Sequence, residues 1–257
     1  MHDLVIPIRL FQLSALFYGL SVLFVLIRFS RSAVISMGVG LLINLLSDIH
    51  GRYLIWPYCN MFNEPFFLPL FLSFLSLYLL FKGIEREGLL FIPLVFFFSL
   101  IAIFCFESYY PPFTMMSKSI YSHLFHLSIF ISHGLLIGCS YLAFIYLIRR
   151  DTPDHLLQRL TVWGFSFLSI SGMFGMIWSY LGRADPVSWN HYYFHSIAIW
   201  FFYVGYLHLR LLKEWNDHRS LWILIGGALL ILYFDYLPQI GRFHISGVLD
   251  ETVYRLY

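Results

Sequence analysis

Apolar residues in this chain come in long runs that are separated by short polar segments. Each run approaches the ~20 residues that a helix needs to cross a bilayer. The pattern predicts about eight spans, near residues 10–27, 33–46, 66–81, 89–106, 124–148, 161–181, 194–212 and 221–236. The second span is the weakest, because it is short and leads into Ser47, Asp48 and His50. We therefore predict an all-α fold, a polytopic bundle of transmembrane helices.

Composition supports this class and excludes others. Of the 257 residues, 60% are hydrophobic and only 12% are charged, which is far from the composition of a soluble domain. The first apolar run has no small-residue cleavage site and is followed by Arg28 and Arg31, so we expect no cleaved signal peptide. The chain has no polybasic cluster and no glycine-rich phosphate loop, which argues against nucleic-acid binding. We predict one integral-membrane domain over residues 1–257.

The distribution of basic residues predicts the orientation. Ten of the 16 Lys and Arg residues fall in the loops that follow odd-numbered spans. Cytoplasmic loops carry the excess of basic residues in membrane proteins. We therefore expect both termini on the outer side, together with the loops at 47–65, 107–123 and 182–193.

Histidines collect on that outer side. They are His50, His123, His126, His191, His195 and His244. His133 lies within the fifth span, and His208 lies toward the cytoplasmic end of the seventh. Ionisable side chains are rare and functional at membrane depth, and neutral imidazole is a common iron ligand. The pattern favours a haem held by axial imidazoles near the outer face, although any one of these histidines has a purely structural reading as an interfacial or hydrogen-bonded residue.

Small residues and cysteines carry weaker signals. Ser169, Ser171, Gly172 and Gly175 form a stripe that predicts close helix packing, as do Gly226 and Gly227. The three cysteines, Cys59, Cys105 and Cys139, form neither CxxC nor CxxCH, so covalent haem attachment to this chain is excluded. Cys59 with His126 or His133 as a base leaves an acyl-transferase reading open.

Several segments together resemble the CcsA/ResC-type cytochrome c assembly proteins, the haem-handling superfamily with a tryptophan-rich outer loop. RYLIWPYCNMFNE at 52–64, SHGLLIGCSYLAF at 132–144 and GFSFLSIS at 164–171 are similar to family segments in order and spacing. The most specific stretch is 175–210, which carries Gly175, Trp178, Trp189, Trp200 and the motif Tyr-Leu-His-x-Arg. IGRFH at 240–244 is similar to the last family motif.

This resemblance implies a site and a role. His133 and His244 would ligate the iron of a transported, non-covalent haem b, and the loop at about 178–195 would cradle it with Trp178, Trp189 and Asn190. His208 would receive haem from the cytoplasmic side. Haem would pass at the outer face to the CxxCH of apocytochrome c, together with a CcsB/ResB-like partner. The expected location is a bacterial inner (plasma) membrane or a thylakoid membrane.

The tryptophan-rich loop departs from the family pattern. Arg183 and Val187 stand where the family has tryptophans, and Asn190 stands where it has Asp. Loss of aromatic area weakens a porphyrin floor, whereas Arg183 would pair with a haem propionate. Whether the chain takes part in a holocytochrome c synthase is therefore open. The alternatives are a degenerate non-catalytic paralogue that regulates haem supply or assembly, and a haem-b electron-transfer subunit.

Overall fold

A computed structural model describes residues 5–55, 64–104, 119–149, 155–186, 191–212 and 218–237. In these segments the chain forms eight α-helices, namely α1 Val5–Leu26, α2 Ser30–Ile55, α3 Glu64–Phe81, α4 Glu85–Phe104, α5 Ile120–Arg149, α6 His155–Arg183, α7 His191–Leu209 and α8 His218–Ile231. A π-helical turn, Leu232–Tyr236, continues α8 directly. Each predicted span coincides with one of these helices, so the all-α prediction is confirmed.

The helices have the length and composition of membrane spans. Among the described residues, six helices are long and apolar enough to cross a bilayer, and the segments Pro65–Phe81 and Phe194–Leu209 are shorter apolar helices. The chain is therefore an integral membrane protein with a polytopic helix bundle. The side of the membrane on which the termini lie stays a prediction.

The described helices group into two compact units, α1–α4 and α5–α8 with the π turn. In the first unit α1 packs on α2 and α4, and α3 packs on α2 and α4. In the second unit α5 packs on α6 and α8, while α7 packs on α6, α8 and the π turn. The expectation of one domain over residues 1–257 is not tested by this grouping and stays a prediction.

The second helix extends past its predicted end at residue 46 and reaches Ile55. Its polar end is helical because the charges are satisfied on the helix itself: Arg52 Nε donates to Asp48 Oδ2 at 2.7 Å, one turn away. Ser47 Oγ donates to the carbonyl of Pro7 on α1 at 2.6 Å. An ion pair at this spacing supports a helix, so charge at the end of an apolar run did not mark the end of the helix.

Close helix packing occurs at fewer glycines than predicted. A Cβ on Gly227 would lie 2.5 Å from the Tyr203 hydroxyl, which confirms a close approach of α8 to α7. A Cβ on Gly172 would have nothing within 4 Å, so the prediction for that residue was wrong. The close approach of α6 to α5 is instead at Gly164, where a Cβ would lie 2.7 Å from Leu136 Cγ.

Candidate functional site

The centre of the candidate site is a contact between a buried histidine and a buried carboxylate in the α5–α8 unit. His133 Nε2 on α5 lies 3.3 Å from Asp235 Oδ2 in the π turn, and the two side chains are 1% and 13% exposed. The contact joins two elements that are far apart in the chain. A charged group at this depth is expensive unless it is paired, so the pair is a deliberate feature of this unit.

The π turn supplies two neighbouring contacts to histidines on different helices. Asp235 meets His133 on α5, and the ring of Phe234 stacks on His195 of α7 with centroids 4.5 Å apart. A π turn adds one residue to a helical turn and therefore redirects the side chains that it carries, and such turns are frequent at functional sites. Leu232–Tyr236 thus acts as the element that organises this end of the unit.

A second histidine on α5 packs among aromatic rings. The His126 ring lies 5.8 Å from Trp178 of α6 and 6.0 Å from Phe130, centroid to centroid. Phe125 also packs on Trp178, at 6.0 Å. His126 Nδ1 lies 2.7 Å from the carbonyl oxygen of Ser122. Because a carbonyl only accepts hydrogen bonds, the hydrogen is on Nδ1 and the lone pair is on Nε2.

His208 is in the last turn of α7 and is exposed. Its Nδ1 lies 2.8 Å from the carbonyl oxygen of Val204, which again leaves the lone pair on Nε2. Two residues further on, Arg210 donates to the hydroxyl of Ser220 on α8 at 3.2 Å. The imidazole is therefore positioned by its own helix, with its ligating nitrogen available toward the outside of the bundle.

Other predicted site residues lie outside the described segments. His244, Trp189 and Asn190 are among them, as is Cys59, so their roles stay predictions. Arg183 ends α6, but its side chain is outside the described part. The next residue, Ala184, has a left-handed backbone with φ of 58°, which is unusual for a residue with a Cβ.

The described side chains fit haem in kind. Imidazole nitrogens of His126 and His133 and the Trp178 ring are the groups that bind iron and stack on a porphyrin. Within the described segments no three His, Cys, Asp or Glu side chains come together as a metal-ion site, which matches a ligand set of one or two imidazoles better than a mononuclear metal centre. The one geometric obstacle is Asp235, whose carboxylate faces the ligating nitrogen of His133.

Sequence reasoning missed Asp235. The signal was present, because Asp235 is an acidic residue inside the last predicted span, and an intramembrane carboxylate points to a function. Its partner was not predictable from spacing. His133 and Asp235 are separated by most of α5 to α8, and only the π turn brings the carboxylate to the imidazole.

Comparison with curated proteins identifies similar sequences of two kinds. The cytochrome c biogenesis protein CcsA of Chlamydomonas reinhardtii is 29% identical over 121 residues, which is 42% of this chain and 34% of that protein. CcsA of Synechococcus sp. (strain RCC307) is 28% identical over 78 residues, or 30% of this chain and 25% of that protein. The chain thus matches about a third or less of these relatives.

Protein HemX of Bacillus subtilis (strain 168) is 24% identical over an alignment of 269 positions, which covers 92% of this chain and 96% of HemX. No protein-family model matches the chain, and no solved structure is significantly similar. The chain therefore shows distant, partial similarity to CcsA proteins and weak similarity to HemX over nearly its full length. It is a diverged, CcsA-like sequence.

Proposed function

We propose that this protein is a haem-binding membrane protein of c-type cytochrome biogenesis, with the α5–α8 unit as the haem-binding part. The observation that carries the proposal is the buried His133, held against a carboxylate inside an apolar bundle. A buried ionisable pair is unfavourable in a membrane protein that needs only packing. The similarity to CcsA, a cytochrome c biogenesis protein by name, supports the same assignment.

The chain's own residues would divide the work. His133 and His244 would ligate iron near the outer face, and bound haem would supply a reactive porphyrin for attachment to apocytochrome c. Trp178, Trp189 and Asn190 would line the porphyrin, and Arg183 would pair with a propionate. Exposed His208 would be the point of entry from the cytoplasmic side, because its Nε2 carries a free lone pair.

Attachment itself would be a matter of position. Thioether formation needs the vinyl groups and the substrate thiols in contact, and holding reactants together provides much of the rate. A CcsB/ResB-like membrane protein is the proposed partner, and a bacterial inner membrane or a thylakoid membrane is the proposed location. Both termini would lie on the outer side, with the loop at about 178–195 facing the apocytochrome.

A second candidate is a non-catalytic paralogue that regulates haem supply or assembly. The observation that favours it is the pattern of similarity: the match covers 96% of HemX but only 34% of CcsA from Chlamydomonas reinhardtii. Such a protein would bind haem through the same histidines without passing it to an apocytochrome. A haem-loaded chain that fails to promote haem attachment to apocytochrome c in the presence of the partner would select this function.

The test is an absorption spectrum with a pyridine haemochrome assay on the purified protein. We expect a Soret band in the wild type that is lost in a His133→Ala/His244→Ala variant. The matched control is His155→Ala, which removes an exposed histidine at the start of α6 and should leave the band unchanged. A wild-type protein that stays colourless after addition of haem would rule out the haem-binding proposal.

A further inference from the structure

We infer that Asp235 competes with haem iron for Nε2 of His133, so that haem binds only after this carboxylate has moved away. The inference rests on the proposed haem-binding function and adds regulation to it. Asp235 Oδ2 lies 3.3 Å from Nε2, which is too close for an iron atom to be placed between them. The carboxylate therefore occupies the position that a metal would take on this nitrogen.

The hydrogen positions point the same way. A nitrogen that ligates iron offers its lone pair, and a carboxylate oxygen accepts hydrogen but has none to give. Nε2 of His133 faces such an oxygen, so its hydrogen is on Nε2 and no lone pair is available there. His126 and His208 differ, since their Nδ1 atoms contact carbonyl oxygens at 2.7 and 2.8 Å and their Nε2 atoms keep the lone pair.

The π turn provides a route for release. Asp235 points at His133 from a π-helical turn at the end of α8, and Phe234 of the same turn stacks on His195. A return of Leu232–Tyr236 to α-helical geometry would redirect both side chains together. The hydrogen on Nε2 then moves to the other nitrogen of the same neutral ring, which leaves the lone pair on Nε2 without any change in charge.

The experiment is a titration of the purified full chain with iron protoporphyrin IX, followed by the Soret band. Asp235→Leu removes the competitor with little change in volume, and Asp235→Asn weakens it. We expect the association constant to rise by about tenfold or more for Leu, corresponding to about 1.4 kcal/mol, and by less for Asn. Glu85→Gln is the matched control, because it makes the same type of change at an exposed position of α4.

Two further measurements keep the result interpretable. In a His133→Ala background Asp235→Leu should give no gain, because the two residues act on one nitrogen. In haem-free protein, 15N NMR of labelled histidine should show the hydrogen of His133 on Nε2 in the wild type and a shift toward Nδ1 in Asp235→Leu. If the Leu variant does not fold, Asp235→Asn carries both tests.

The outcomes separate this inference from the function on which it rests. A wild type that binds haem, with both Asp235 variants binding equally or more weakly, would overturn the competition and leave the haem-binding function intact. A colourless wild type with a coloured Asp235→Leu variant would support the competition in its strongest form. Failure of all three proteins to bind haem would overturn both.

Discussion

The two units of this protein bury polar groups in different ways. In the α1–α4 unit the polar groups that link helices are neutral. Tyr18 OH lies 3.2 Å from Ser73 Oγ, and Asn44 Nδ2 donates to Tyr18 OH at 3.3 Å. The charges of Asp48 and Arg52 pair within one helix. Such a unit satisfies its polar groups internally and has the properties of a scaffold.

In the α5–α8 unit the polar contacts between helices include ionisable and imidazole groups. His133 faces Asp235, His195 stacks on Phe234, and His126 packs on Trp178. Each of these contacts joins two helical elements. Neutral hydrogen bonds would hold the helices together with a smaller desolvation penalty. The comparison therefore places the chemistry in α5–α8 and a supporting role in α1–α4.

The largest expected effect would test this division directly. His133→Ala should weaken haem binding by more than the ~10–100-fold that the loss of an outer contact causes, because it removes a proposed iron ligand. Tyr18→Phe, which removes a buried polar group of the α1–α4 unit, should leave the haem dissociation constant unchanged. Soret titration of both variants measures the difference. Equal losses in the two variants would contradict the division.

Much of the fold was predictable because it depends on local composition. Eight apolar runs predicted eight helices, and burial of the backbone in lipid leaves helices as the only solution for such runs. The end of α2 was wrong because a window of hydropathy does not register the pairing of Asp48 with Arg52. Close packing at Gly164 was missed for a related reason, since the partner Leu136 is on another helix.

The candidate site was predictable only in part. His126, His133 and His208 were selected from their depth in apolar sequence, and that signal is physical because imidazoles are costly in lipid. Asp235 was not selected, because its importance depends on a π turn that changes the direction of one side chain. No periodicity in the sequence marks such a turn. The contact of Asp235 with His133 therefore required the three-dimensional structure.

A second prediction concerns packing, which should not differ between the units. A Cβ on Gly40 would lie 2.7 Å from Tyr18 Cε1, and one on Gly164 would lie 2.7 Å from Leu136 Cγ. Gly40→Val and Gly164→Val should each lower the free energy of unfolding by about 1–3 kcal/mol through overpacking. Thermal melting in detergent measures this change. Equal loss in both units would sharpen the comparison, because it would restrict the difference between them to polar chemistry.

The matched controls are Gly38→Val on α2 and Gly172→Val on α6, where a Cβ would meet nothing within 4 Å. Both should melt close to the wild type apart from the small loss of helix propensity of a β-branched residue. A large loss at Gly172 would indicate a neighbour that packs there in the membrane, and it would restore the original prediction of a small-residue contact surface.

A third prediction measures the neutral network of α1–α4. Tyr18→Phe removes one hydroxyl that contacts Ser73 and accepts from Asn44, and it should destabilise the protein by about 1 kcal/mol. Ser73→Ala should have an effect of the same sign. Because the two groups share a bond, the double variant should lose less than the sum of the single losses. Additive losses would mean that the Tyr18–Ser73 contact adds no stability.

The smallest expected effect concerns a neutral bond inside the unit that carries the chemistry. Ser140 Oγ donates to the carbonyl of Leu224 at 2.7 Å and so joins α5 to α8. Interhelical hydrogen bonds in membrane proteins average about 0.6 kcal/mol, so Ser140→Ala should lower stability by about that amount.

Ser166→Ala is its control, since the Ser166 hydroxyl bonds only to Val162 of its own helix among the described contacts and is exposed. It should have no measurable effect on melting. Because α8 carries Asp235 toward α5, Ser140→Ala is also informative about the site. A change in haem affinity with unchanged melting would mean that this neutral bond sets the position of the carboxylate, and the separation of scaffold from chemistry would then fail inside α5–α8 itself.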